Sequence, residues 1–250
     1  MANTEDKLWW YKGLRGSLKA LLNRHGSKLP KKPVILDAGC GTGANLRFMR
    51  EQFPEANISG FDLNPSSLSH TREKNPDLDI YESDICQPEL KHDSYDLIYS
   101  MDVLYMIGVD KSFDGLKKMI DALEPGGLFI INTPALRWLY SEHDVAVHTV
   151  ERLHASDMKK LAQRLGLECQ QVSYRCFYLF PLIVLSRLPT MFGRAPKTAE
   201  ATSDTALPNP LINSLFSLIM AFENWVLGWG LSYPWGSSVI MVARKPSTTL

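Results

Sequence analysis

Short apolar runs alternate with amphipathic stretches over residues 33–132. Val34-Ile35-Leu36, closed by Asp37, is a run of β-branched and leucine residues that predicts a buried parallel strand. Ala44 to Phe53 follows with helical character. Ile58-Ser59-Gly60-Phe61-Asp62 predicts a second strand, and Pro65 to Lys74 a helix with Asn64 as cap and Pro65 at its first position. Asp79 to Ser83 is a short third strand, Tyr95 to Ser100 a fourth, and Ser112 to Leu123 a helix. This alternation implies a mainly parallel sheet with helices on both faces. Farther on, Asp157 to Leu165 reads as a helix capped by Ser156 or Asp157 and stopped by Gly166. Leu167 to Tyr174 and Ser238 to Arg244 read as strands.

The flanks follow a different pattern. In residues 5–24, Leu8, Trp9, Leu14, Leu18, Leu21 and Leu22 recur near helical spacing, with Lys12, Arg15, Lys19 and Arg24 elsewhere on the surface. About 60 residues separate the last two strands. Phe177 to Leu188 is almost wholly apolar, and a polar linker runs from Lys197 to Asn209 between Pro196 and Pro208. Pro210 then opens a long helix to about Gly228. Leu211, Leu215, Leu218, Phe222, Trp225 and Trp229 share one face; Asn213, Ser217, Glu223 and Asn224 lie away from it. Neither segment makes a convincing membrane span, the first being too short and the second carrying Glu223 and small polar residues. Core packing, a lid, a homodimer contact and a peripheral membrane contact all remain open for 177–235. The lid reading expects the helix to fold back over the loop after strand five. The chain then divides into an N-terminal helical cap (1–30), an α/β core (31–176), the apolar helical insertion (177–235), and a last strand with its tail (236–250).

Composition narrows the partners. The chain of 250 residues carries 27 Lys plus Arg and 27 Asp plus Glu, so it has no basic excess for nucleic acid. Cys40, Cys86, Cys169 and Cys176 form no C-x-x-C pair, which argues against disulfides and zinc. The polar, mixed-charge start Met1–Lys7 does not read as a signal peptide, and a cytoplasmic location is expected.

Gly39, Gly41 and Gly43 carry the chemistry. A strand, a glycine loop and a helix form a cofactor site at the carboxyl end of a sheet, where the backbone turns tightly and lets a ligand approach. Gly39, Gly41 and Ala44 satisfy a loose dinucleotide fingerprint, but Asp37 would repel a pyrophosphate and suits an ammonium or sulfonium. Asp37-x-Gly39-x-Gly41-x-Gly43 closely resembles the first motif of the class I S-adenosylmethionine-dependent methyltransferases. The resemblance continues through Asp62, Ser83-Asp84-Ile85, and the turn and fifth strand Leu123-Glu124-Pro125-Gly126-Gly127-Leu128-Phe129-Ile130-Ile131. It implies a Rossmann-like, seven-stranded, mostly parallel α/β sheet whose last strand runs antiparallel between its neighbours. S-adenosylmethionine is the implied cofactor. Asp62 would take the ribose hydroxyls, with Leu63 beside it, and Asp84 and Ile85 the adenine. The backbone near Met101 would meet the ammonium, Tyr11 or Arg15 the carboxylate, and Asn45 completes the loop. No metal is implied.

For the acceptor, positioning can supply much of the catalysis, and a base is needed only where the acceptor must lose a proton. Tyr105 after strand four is a candidate for shaping the pocket. Ser141-Glu142-His143-Asp144 and His148 resemble a segment of a bacterial subgroup, making His143 and His148 the candidate bases. Glu151-Arg152-Leu153 departs from that subgroup's two arginines and a tyrosine. Trp9, Trp10, Tyr105, Trp138 and Tyr140 suggest a partly apolar or planar acceptor. The expected function is methylation of an oxygen or nitrogen of a small-molecule acceptor, natural-product or lipid-linked. A cofactor-binding scaffold without turnover is the alternative. A nucleic-acid methyltransferase is disfavoured for lack of a basic arm, and a nicotinamide enzyme by Asp37.

Overall fold

The computed structural model describes residues 5–90, 95–191 and 208–247. Seven strands form one sheet: β1 (Val34–Ala38), β2 (Asn57–Asp62), β3 (Asp79–Glu82), β4 (Tyr95–Met101), β5 (Leu123–Pro134), β6 (Glu168–Arg175) and β7 (Ser238–Arg244). Their order is β3-β2-β1-β4-β5-β7-β6. β7 lies antiparallel between β5 and β6, and the other neighbours pair in parallel, Ile35 aligning with Ile58 on one side and Leu97 on the other. Ile35, Leu36, Leu97, Ile98 and Ile130 are fully buried, as expected of strands covered on both faces. The strand order reverses between β1 and β4, and ligands of such sheets bind at that crevice.

The helices are α1 (Trp9–His25), α2 (Ala44–Gln52), α3 (Pro65–Lys74), α4 (Val109–Asp121), α5 (Glu142–Ala146), α6 (Ala155–Arg164), α7 (Phe180–Met191) and α8 (Pro210–Gly228). Asn64 caps α3 as its sequence predicts, accepting from Ser66 and Ser67. Two boundaries move. α4 starts at Val109 instead of Ser112 because the Glu151 carboxylate, 42 residues on, accepts from the Val109 N–H at 2.9 Å. α6 is entered at His154, whose N–H donates to Asp157 at 2.9 Å, so Asp157 reaches back from the first turn and neither it nor Ser156 is the cap.

The larger correction concerns α8. It packs on α1 and does not fold back over the loop after β5. Its polar face points inward: Glu223 and Asn224 are buried, while Leu211, Leu215, Leu218, Phe222, Trp225 and Trp229 are exposed. Small residues on α1 cause this inversion. A Cβ on Gly13 would lie 2.9 Å from Met220 Cε, and one on Gly16 only 2.3 Å from Asn224 Nδ2. Two glycines one helical turn apart thus open a groove that only close approach fills. Ser17 Oγ donates to Asn224 Oδ1 at 2.6 Å, and Asn224 Nδ2 donates to the Gly13 carbonyl at 3.0 Å. Glu223 accepts the backbone N–H groups of Cys176 (2.6 Å) and Phe177 (2.7 Å), which leave β6. The polar residues that sequence places away from the core are the ones that fasten the helix. By length and composition α8 could cross a membrane, and little of it is buried. The linker read at 197–209 lies, up to residue 207, outside the described residues.

Candidate active site

The glycine loop after β1 is built from left-handed backbone, with φ of 86° at Gly39, 53° at Gly41 and 83° at Gly43. The N–H groups of Gly39 and Cys40 both donate to the Phe61 carbonyl, at 2.9 and 2.8 Å, which ties the loop to β2. A Cβ on Gly39 would strike Val103 at 2.4 Å and one on Gly43 would strike Asn75 at 2.6 Å, whereas at Gly41 nothing lies within 4 Å. Gly41 therefore borders open space, the cradle a ligand needs. Asp62 ends β2 at that cradle. Its Oδ2 accepts from Gly41 N and its Oδ1 from Asn64 N, each at 2.9 Å. A carboxylate has roughly four acceptor directions, so capacity remains for two ribose hydroxyls. Leu63 beside it is exposed and Ile85 buried, while Asp84 accepts from Cys86 N at 2.9 Å. Asn45 is half-buried in the first turn of α2.

Two orphaned polar groups border this cradle. Asp37 is 1% exposed, and neither of its oxygens holds a hydrogen bond of normal geometry, though the Tyr99 hydroxyl faces it. Burial, with Asp62 nearby, pushes its carboxyl up to about 8 against the lowering influence of Tyr99. Arg15 donates from Nη2 to the Glu5 carbonyl at 3.0 Å, while its Nη1 is buried without a partner. Burial lowers the Arg15 pKa, partly offset by Asp6 and Glu5. Glu5 is also buried; its carboxylate meets the Thr42 hydroxyl and pairs with Lys74 at 3.6 Å. Asp6 pairs with Arg47 at 2.6 Å. Residues 5 and 6 thus strap the start of α1 across the glycine loop and hold Arg15 there. An amino-acid headgroup supplies both missing partners, an ammonium for Asp37 and a carboxylate for Arg15. S-adenosylmethionine carries that headgroup together with the ribose and adenine, so the residues present fit it.

β4 ends at the buried Met101, and Asp102 just past it takes a left-handed φ of 56°. Its N–H donates to the Asn132 carbonyl at 2.9 Å and its Oδ1 accepts from Asn132 Nδ2 at 2.7 Å. Burial pushes the Asp102 carboxyl up to about 6, with Arg175 and Asn132 acting against it. Burial likewise raises Tyr11 to about 12, helped by Glu5 and Asp102, and raises Tyr105, helped by Asp102 and Tyr11. The Asp102 charge thus bears on both tyrosines, and Tyr11 on Tyr105. Leu136 after β5 and Cys176 after β6 also have φ of 63° and 61°, so backbone strain gathers past the carboxyl ends of β4, β5 and β6, as at functional sites.

The loop after β5 is pinned at its centre by a buried ion pair. Asp144 is buried and holds Arg152 through Nε at 2.7 Å and Nη2 at 3.2 Å, with Arg187 at 3.4 Å. Burial would raise its pKa, but the Arg152 fork outweighs this and holds it low. The Tyr105 carbonyl accepts from Val150 (2.8 Å) and Glu151 (3.0 Å), stitching this loop to the end of β4. His143 is half-buried on α5; His148 is exposed at a left-handed φ of 55°. Trp138 and Tyr140 are both largely exposed. Sequence reasoning missed Glu5, Asp102 and Arg175. Arg175 is fully buried, donating to Ser17 Oγ at 2.7 Å and Asn132 Oδ1 at 3.2 Å. Only Asp102, directly after Met101 in a strand-end loop, carried a signal that could have been used.

Fold and site together define an S-adenosylmethionine-binding α/β domain. The family model described as a methyltransferase domain matches residues 11–172, and the chain belongs to that family, within the class I S-adenosylmethionine-dependent methyltransferases. It is 29% identical over 106 residues to the trans-aconitate 2-methyltransferase of Variovorax paradoxus, covering 42% of this chain and 40% of that one. The corresponding enzyme of Deinococcus radiodurans is 28% identical over 134 residues, covering 52% and 48%. The chain thus spans about half the length of the curated relatives it matches. The fold recurs in a chain of the complex between the Haloferax volcanii Trm112 methyltransferase activator and a putative methyltransferase. That match has a TM-score of 0.60 at 18% identity and covers 98% of this chain and 92% of that one.

Proposed function

We propose that this protein methylates an oxygen or nitrogen of a small-molecule acceptor that enters beside Tyr11, Asp102 and Tyr105. The observation that carries the reading is the pair of orphaned groups, Asp37 and Arg15 Nη1, at a glycine cradle with open space over Gly41. When bound, S-adenosylmethionine supplies an activated methyl group on a sulfonium. Asp37 and Arg15 fix the two ends of its amino-acid part, and Asp62 holds its ribose. Tyr11 and Tyr105 keep their protons, wall off water and orient the acceptor by packing and hydrogen bonding. Asp102, with a pKa of about 6, is ionised at neutral pH and takes the proton of an acceptor hydroxyl or ammonium. The curated relatives are named for a small carboxylic acid, which supports the size class of the acceptor. The exposed rings of Trp138 and Tyr140 favour a more apolar or planar one.

The test has two stages. Calorimetry with S-adenosylhomocysteine should show binding that NAD does not compete for. Cell extract incubated with methyl-labelled cofactor should then reveal a low-mass labelled product. With that acceptor, Asp102→Asn should lower kcat by about 10²–10⁴-fold, and the wild-type rate should rise with pH through about 6. His143→Ala and His148→Ala should stay within a few-fold of wild type. A large loss in either instead returns the base to the acceptor-loop histidines. Tight cofactor binding with no labelled product from any extract supports a non-catalytic scaffold.

A further inference from the structure

We infer that the outward face of α8, with the basic flank of α1, is a docking surface for an anionic lipid bilayer. Four observations converge on this occupant. First, α8 is fastened by its polar side and shows its apolar side to solvent, with Leu211 81% exposed, Leu218 69% and Trp229 66%. Contiguous apolar surface of this kind on a folded body marks an interaction site. Second, that face is uncharged. From residue 205 to 243 the only charged side chain is Glu223, and it is buried on backbone N–H groups of the chain leaving β6.

Third, rings collect at one end. Tyr178, Phe222, Trp225 and Trp229 form a continuous series, with ring centroids 5.5, 5.9 and 4.7 Å apart, and Trp235 is exposed nearby. Trp and Tyr favour the headgroup level, where an apolar body and a polar edge are both satisfied. Fourth, charge is divided along the chain. Residues 7–36 contain eight Lys and Arg and no Asp or Glu, although the whole chain is neutral. Lys7, Lys12, Lys19 and Arg24 are exposed on or just before α1. They run beside α8, since Asn213 bonds the Lys7 carbonyl near its start and the Arg24 guanidinium lies against Gly230 just past its end. An uncharged ridge beside a basic stripe complements an anionic bilayer. A spanning role for α8 is excluded by its fastening, because Asn213, Glu223 and Asn224 bond α1 and its flank or the β6 exit.

The surface continues toward the acceptor loop. Phe180 on α7 packs edge-on against Trp138 at 5.9 Å, and Arg187 donates to the Leu139 carbonyl at 2.6 Å. Docking therefore brings the mouth of the proposed acceptor site to the lipid edge. That consequence rests on the methyltransferase reading; the docking itself does not.

The full chain is tested by flotation with vesicles of phosphatidylcholine alone and with about a quarter phosphatidylglycerol. Wild type should float with the anionic vesicles and be released by high salt. Leu218→Glu and Trp229→Glu should each weaken binding at least about tenfold. Lys12→Glu and Lys19→Glu should each lower the preference for anionic lipid about fivefold. All four variants should keep wild-type affinity for S-adenosylhomocysteine, which certifies the fold and reads the cofactor site independently of docking. Should a ridge variant misfold, quenching of wild-type tryptophan fluorescence by brominated lipid decides the matter. Wild type that ignores both vesicle types and is not quenched overturns the inference. Two-chain mass in light scattering, lost in Leu218→Glu and without vesicle binding, overturns it in favour of a contact between copies.

Discussion

The proposed role of Asp37 sets one residue's service to the ligand against its cost to the fold. Burial raises its pKa from 3.8 to about 8, so below about pH 8 the ligand-free protein keeps it protonated. An arriving ammonium favours the carboxylate, and binding must release that proton. Affinity for S-adenosylhomocysteine should therefore rise from pH 6 to 8, by at most about tenfold per unit, and level off above. Calorimetry at pH 7 in buffers of different ionisation enthalpy should count the released proton. Asp37→Asn should remove the pH dependence and cost about ten- to a hundred-fold in affinity. Stability runs the other way. Between the two pKa values the native state holds a proton that the unfolded chain has lost, so wild-type stability falls as pH rises through that window. The asparagine variant should then melt above wild type at pH 8 and lose that advantage at pH 4. The position of Asp37 at the entry to the glycine loop is legible in sequence because glycines at fixed spacing follow it. Asp102 has no such frame, and its significance comes from a left-handed backbone and from Asn132, 30 residues away.

At the scale of elements, legibility tracks how local the cause is. Strands and the α3 cap follow from neighbouring residues, whereas the start of α4 depends on Glu151 across the fold. The orientation of α8 was the hardest to read, since an apolar stripe is ordinarily a core face. The contrary signal lay on the partner, where Gly13, Gly16, Ser17 and Ala20 make a small-residue seam on α1. Enlarging that seam should be costly. Gly16→Leu drives a side chain into Asn224 and should lower stability by about 1–3 kcal/mol in urea denaturation, with vesicle binding reduced as α8 loosens. The acceptor loop gives a parallel case. Removing the carboxylate in Asp144→Ala leaves Arg152, whose side chain is 3% exposed, without its ion pair. A loss of about 3–5 kcal/mol is expected. Because the Asp144 pKa is depressed, its contribution is present above the ordinary carboxylate range and lost as pH falls below it. Wild type and variant should therefore converge in stability toward low pH.

Over the whole molecule, the strand order and cofactor crevice follow from four motifs in sequence, while the cover over the crevice comes from residues 5 and 6, which carry no motif. Glu5 precedes the first helix in a polar stretch that gave no sign of burial, yet it is 7% exposed and crosses 37 residues to Thr42. Its carboxylate also pairs with Lys74 at 3.6 Å on α3, and its carbonyl anchors Arg15. One residue thus joins the first helix, the glycine loop and α3 around the proposed headgroup site. The strap crosses the loop that borders the open space over Gly41, and its backbone carbonyl holds Arg15, so ligand exchange is expected to need it to lift. Glu5→Ala removes the Thr42 and Lys74 contacts but keeps the backbone carbonyl. Charged hydrogen bonds of this kind contribute about 1.5–3 kcal/mol, so S-adenosylhomocysteine should dissociate about ten- to a hundred-fold faster in stopped-flow displacement. The association rate should change little, since the contacts removed act only while the strap is seated. Unchanged dissociation, with the melting temperature also unchanged, would show that residues 5 and 6 rest on the loop without closing it.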